Sequence, residues 1–124
     1  MSALMIGHCY TRRQIHKRLG GGVQEYLPHI ERRVVCGCFN PRLNPGAPGI
    51  VLPGKGPGIE KWAAVFAGQS DFVPIFLKRA TNEWEYAGDY RVKRRSDDPS
   101  EISQRARRAG RNDVSQVLFL EPAK

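Results

Sequence analysis

Phe39, Trp84, Tyr86 and Tyr90 offer flat π surfaces, and a nucleobase stacked on such a ring gains ~1–3 kcal/mol. Asn40, Asn44, Asn82 and Asp89 carry short polar heads suited to a base edge, and Arg42 stands beside Asn40. Arg12, Arg13, Lys17, Arg79, Arg105, Arg107 and Arg108 are cations for phosphates, and each contact made adds about one unit to the salt dependence of binding. His16 either donates to a phosphate or packs beside Tyr26. Drawing a base out of a duplex costs a few kcal/mol of stacking and pairing, so stacking, edge contacts and phosphate clamps are needed together.

Each of these residues also has a plainer use. Tyr86 and Tyr90 suit the core face of a barrel strand. Asn40 and Asn44 precede prolines, where asparagine caps turns. Arg105, Arg107 and Arg108 suit a solvated helix face above a thin apolar line of Ile102, Ala106 and Ala109. Cys36-Gly37-Cys38, with Cys9 and His8 at a distance, offers metal ligands, but the spacing matches no zinc knuckle and the run is apolar. Packing cysteines are expected there, and no metal or other cofactor. Lys78, Glu83, Glu85 and Asp89 offer acid and base groups to a small hydrolase of a modified nucleoside. Their placing along one exposed strand face is more simply that of cross-strand ion pairs.

The elements that must position these groups are legible in outline. Val73 to Arg95 reads as a hairpin turned at Ala80-Thr81-Asn82, its second arm alternating Trp84, Tyr86, Gly88, Tyr90 and Val92 against charged residues. Thr11-Arg12-Arg13-Gln14 has the form of a capping box, and Gly20 stops the short helix that follows. Gly20-Gly21-Gly22 permits a sharp turn and is a weak phosphate signal alone. Arg33 to Phe39 is apolar on both faces and predicts a central strand. The Pro-rich and Gly-rich stretch from Asn40 to Gly58 predicts a rigid loop wall around a short strand at Ile50 to Leu52. Ile59, Trp62, Ala63 and Phe66 recur at helical spacing, with Trp62 as core anchor. Asp98-Pro99-Ser100-Glu101 opens a third helix, and Val114 to Leu120 returns as a buried strand.

One domain over residues 1–124 accommodates all of this. The chain holds 20 Lys and Arg against 12 Asp and Glu, a net charge of +8, so an anionic partner is the first expectation. The cations gather in two flanks, Arg12 to Arg33 and Arg91 to Arg111. Three cysteines are too few and odd in number for a disulfide framework, which favours a reducing, cytoplasmic setting. The first ten residues suit neither a signal peptide nor a membrane span, so no membrane partner is expected.

Two motifs carry a resemblance. Arg12-Arg13-x-Ile15-His16, followed by Gly20-Gly21 and Gln24, resembles the opening of reader domains in bacterial HNH restriction endonucleases that attack modified DNA. Val73-Pro74-Ile75-Phe76, Tyr86-Ala87-Gly88-Asp89-Tyr90-Arg91-Val92 and Val117-Leu118-Phe119-Leu120 resemble the C-terminal half of the SET- and RING-associated (SRA) domain, of the wider PUA-like class. That resemblance, in patches over about half the chain, implies an α+β fold. The expected frame is a PUA-like or SRA-like curved sheet or small barrel of about five strands, flanked by three short helices. It implies a non-catalytic reader of modified DNA in a restriction or phage-defence setting, with a flipped base or a modified backbone as its target. His8, His16 and His29 all lie early and no His-Asn-His nuclease segment follows, so cutting would need a separate nuclease subunit. The chain is shorter than a typical modified-cytosine reader, which leaves base preference open, and an RNA-binding PUA-like module is the alternative.

Overall fold

The computed structural model describes residues 3–124; residues 1 and 2, where the leader reading begins, lie outside them. After strand β1 (Cys9–Tyr10), helix α1 (Arg12–Leu19) starts on the expected capping box. Thr11 Oγ1 accepts from the Gln14 amide at 3.1 Å, and Gln14 Oε1 accepts from the Thr11 amide at 2.9 Å. Two orphan donors of the first turn are thereby satisfied. Gly20 ends the helix at φ 83°, a left-handed value that a side chain resists.

Strands β2 (His29–Ile30) and β3 (Arg33–Val34) form a separate two-stranded ribbon. Then come β4 (Gly37–Phe39), β5 (Ile50–Val51), α2 (Pro57–Gly68), β6 (Val73–Ala80), β7 (Glu83–Ser96), α3 (Pro99–Arg108) and β8 (Val117–Pro122). α3 opens as expected, with Asp98 Oδ1 accepting from the Ser100 amide and proline at the first helical position. The architecture is α+β: three helices and a mixed, six-stranded sheet in the order β4-β6-β7-β8-β5, with β1 added to β7. β4 and β6 run parallel and the other pairs antiparallel. The path has two ends, so the sheet does not close into the barrel that was one expected form. No helix among the described residues is long and apolar enough to cross a membrane.

Two expectations are corrected. Arg33 to Phe39 is not one central strand: it splits into β3 and β4, and β4 ends the sheet. Both its faces are buried, Phe39 in the core cluster with α2 and Cys38 in the cluster with α1, and the chain at Tyr26 covers its free edge, where the Cys38 amide donates to Tyr26 O at 2.8 Å. The aromatic arm of the hairpin does not keep one face either. In the β6–β7 ladder Ile75 pairs with Gly88 and Phe76 with Tyr86, so Ala87 is the extra residue of a bulge, and Gly88 takes φ 118°. Before the bulge, Trp84 and Tyr86 pack with Phe76, Cys38 and Ile15 of α1. After it, Tyr90 and Val92 pack with Val73, Ile75 and Phe66 of α2. The hairpin therefore supplies both layers of the core.

Alternation along β6 and β8 assigns the remaining helices. Leu118 and Leu120 join the α2 layer, while Val117 and Phe119 pack with Ala106 and Ile102 of α3. Trp62 anchors α2 as expected, half-buried, with His29 stacked on it at 3.4 Å.

Candidate functional site

A cleft of about 420 Å³ opens where α1, the end of β4 and the β6–β7 hairpin meet. Lys78 and Trp84 enter it as a cross-strand pair, and Asn40 enters from the residue after β4. Arg12, the first residue of α1, comes from the third side. Its position is set twice over. Its backbone amide donates to Asn82 Oδ1 in the hairpin turn at 3.0 Å, and its Nη2 donates to Glu25 O at 2.8 Å. Asn82 holds φ 55°, a left-handed conformation that asparagine tolerates better than most residues. The guanidinium carbon of Arg12 then lies 5.2 Å from the Trp84 ring centroid, and Lys78 Nζ lies 5.9 Å from it. Arg12 Nε is buried without a hydrogen-bond partner.

The opposite wall is made by loops. Asn40 Oδ1 accepts from the Arg42 amide, and Asn40 O accepts from the amides of Leu43 and Asn44. Asn44, which is buried, accepts from the Leu52 amide at 2.8 Å. Asn40 thus caps a turn, the plainer of the two uses weighed for it, while Asn44 ties its loop to Leu52 eight residues on. Arg111 ties these loops together. Its Nη1 donates to Leu43 O at 2.9 Å and Leu52 O at 2.8 Å, and its Nε and Nη2 hold the two Asp113 carboxylate oxygens at 2.9 and 3.2 Å. The Arg111 hydrogen bonds hold the Asp113 carboxyl below the ordinary carboxylate range. Tyr26 closes the floor, its hydroxyl donating to Ile59 O at 2.6 Å. Burial, with Glu60 nearby, pushes that hydroxyl well above the usual tyrosine range, so it stays a neutral donor.

A second hollow of about 410 Å³ adjoins the first through Asn40 and Lys78, and Arg42 and Arg79 line it. Arg12 and Lys78 thus stand at the half-buried Trp84 in the first hollow, and Arg42 and the Glu85-paired Arg79 line the second. The one carboxylate among their lining residues is Asp113, already held by Arg111.

The base-pocket residues are partly gathered. Asn40 and Trp84 line the cleft; Arg42 lines the adjoining hollow. Phe39 also lines the cleft, but at 1% exposure and tilted against Tyr26 its ring is packed into the core rather than offered for stacking. Asn82 uses its side-chain oxygen on Arg12. Asp89 lines neither hollow: its carboxylate accepts from the Tyr86 hydroxyl at 2.5 Å, and burial together with this bond raises the tyrosine pKa. Tyr86 is buried and Tyr90 half-buried, both in core clusters.

Of the phosphate candidates, Arg12 is in the cleft, and Arg79 pairs with Glu85 at 2.5 Å. Arg13 and Lys17 are exposed on α1, while His16 Nδ1 donates to Gly21 O at 2.5 Å. Arg105 lies over Phe119 at 5.7 Å, and Arg107 and Arg108 are exposed on α3. The hydrolase set is dispersed, because Glu85 belongs to Arg79 and Asp89 to Tyr86, while Glu83 is exposed. Cys36 and Cys38 are buried in the α1 layer, where their mutual hydrogen bond, then burial, raises the Cys36 thiol pKa. No cluster of three metal-ligating side chains occurs among the described residues.

Sequence reasoning missed Tyr26, Arg111 and Asp113. The Arg111-x-Asp113 spacing hinted at a local ion pair, but the two carbonyls that Arg111 also holds come from loops that only the fold brings near. A family profile described as "Domain of unknown function (DUF6697)" matches residues 9–114. No curated protein matches the chain, and no solved structure matches it.

Proposed function

We propose that this chain, which belongs to the DUF6697 family, is a non-catalytic nucleic-acid-binding module whose Trp84 cleft receives a single unstacked base, a modified one in DNA. The observation that carries the reading is the joining of two hollows through Asn40 and Lys78, with Arg12 and Lys78 at the Trp84 ring and Arg42 and Arg79 lining the adjoining hollow. A volume of about 420 Å³ lies in the range of small-ligand pockets and suits one base with its sugar. Trp84 and Tyr26 supply the π surfaces, Arg12 and Lys78 stand at the ring, and Arg42 and Arg79 lie outside for flanking phosphates.

The finer fold reading belongs to the same proposal. β7 carries Tyr86-Ala87-Gly88-Asp89-Tyr90 and lies between β6 and β8, the placement that the resemblance to PUA-like readers expects of this motif. The motif is then the frame of the site: Tyr86 and Tyr90 hold the two core layers, and the contacts come from the turn end of the hairpin.

The test is a low-salt binding panel of unmodified, methylated, hydroxymethylated and phosphorothioate duplexes, with structured RNA alongside. A preference for one modified duplex, weakened in Trp84→Ala while the variant melts cooperatively, is the expected result. Equal binding to all duplexes removes the modification, tighter binding to RNA transfers the site to RNA, and no binding to any of them overturns the reading.

A further inference from the structure

The Trp84 cleft ends at Arg111, and on the far side of that residue lies a larger hollow of about 700 Å³. Arg111 lines both, four of its five donors engaged with Asp113 and the two loop carbonyls, so it forms a sill between them. The floor of the larger hollow is apolar, made by Ile102, Ala106 and Val114 of the α3 cluster. Its rim carries Lys55 from the loop before α2 and Arg107 from α3, both exposed and neither in an ion pair among the described residues. The one carboxylate on the rim, Glu60, faces back to the chain and accepts from the Gly56 amide at 2.9 Å. An apolar floor beneath two unpaired cations is the chemistry of a nucleotide subsite, with the ring or sugar below and the phosphodiester above.

Resting on the reading of the Trp84 cleft as a base site, we infer that this hollow is a second subsite for the same nucleic-acid strand, which crosses the Arg111 sill from one hollow to the other. The ligand is then a strand of several nucleotides rather than a free nucleotide. A single strand is the simplest probe, since its bases need no extraction from a duplex.

The experiment compares fluorescence anisotropy of single-stranded DNA of about 3 and about 10 nucleotides, lengths that bracket one and two subsites. Wild type is measured against Lys55→Glu/Arg107→Glu, and against Arg32→Glu/Lys61→Glu as an equal change of charge elsewhere on the surface. All four positions are exposed, and thermal melts confirm folding. The longer strand is expected to bind wild type at least about tenfold tighter than the shorter, as two extra phosphate contacts imply at low salt. The Lys55/Arg107 variant loses that advantage, keeps its affinity for the short strand, and lowers the salt slope by about 1.4. Equal binding of both lengths, or an equal loss in the Arg32/Lys61 control, overturns the second subsite and leaves the Trp84 cleft standing. Failure of the short strand to bind, or indifference of its binding to Trp84→Ala, overturns the base site and the second subsite with it.

Discussion

Replacing Arg111 by methionine keeps the aliphatic stem of a side chain that is 10% exposed and deletes its hydrogen bonds. The Asp113 partner is 57% exposed, so that ion pair contributes only about 0–1 kcal/mol. The two carbonyls are different. Leu43 O and Leu52 O each receive a charge-assisted bond, and such bonds contribute about 1.5–3 kcal/mol apiece. Leu43 is half exposed and its carbonyl recovers part of its share from water, whereas Leu52 is buried and its carbonyl loses most. The expected loss is therefore about 3 kcal/mol in all, dominated by the carbonyl at Leu52. In urea, with a slope of about 1–1.5 kcal/mol/M for a domain of this size, the midpoint falls by about 2–3 M. Asp113→Asn is the control and loses no more than about 1 kcal/mol. Chemical denaturation followed by tryptophan fluorescence measures both. A methionine variant within about 0.5 kcal/mol of wild type, or an asparagine variant as costly as the methionine one, refutes Arg111 as the tie between the loops.

Thr11→Ala removes the hydroxyl of the capping box and is expected to cost about 1 kcal/mol, read as a lower urea midpoint; Thr11→Ser should recover most of it. Alkylation of the native protein at neutral pH should label exposed Cys9 alone, with Cys36 and Cys38 reacting only after unfolding; rapid native labelling at Cys36 contradicts its buried, raised-pKa thiol. Asp113 has a depressed folded pKa, so its contribution is present above the unfolded value of about 3.9 and is lost as pH falls through the folded one. Stability measured from pH 6 down to pH 2 should therefore fall less steeply in Asp113→Asn than in wild type, by a small margin because the carboxylate is mostly in water.

The parts of the fold that were legible rest on local chemistry. Thr11 with Gln14 and Asp98 with Ser100 satisfy helix-start backbone groups within three residues, and Asn82 tolerates the left-handed φ of its two-residue turn, so their structure follows from types and spacing. What stayed hidden depends on distant partners. Cys36 to Phe39 is buried like a central strand, yet it is an edge covered by the Tyr26 segment, and a row of apolar residues does not say whether a strand or an irregular segment covers it. The alternation from Trp84 to Val92 is perfect in the sequence and broken in the fold, because Ala87 is left unpaired and the later side chains change face. Gly88 was the one mark of that bulge. For the site, Trp84, Asn40, Arg42 and Arg12 were visible as types able to bind a base, and the fold brings them to two adjoining hollows. Phe39 and Asp89 have the same credentials by type, but one is sealed in the core and the other is bonded to Tyr86.

The central claim is that the Trp84 cleft takes a base, and the most direct measurement is the affinity of one short oligonucleotide for wild type and for Trp84→Ala. The ring is half-buried between Arg12 and Lys78 and belongs to neither large core cluster as a fully buried member, so the variant is expected to fold. Loss of a stacking contact of ~1–3 kcal/mol predicts a weakening of about 5- to 150-fold, with the salt slope nearly unchanged because no phosphate contact is lost. Affinity unchanged in a folded Trp84→Ala protein, or a loss confined to the salt-dependent part, contradicts it.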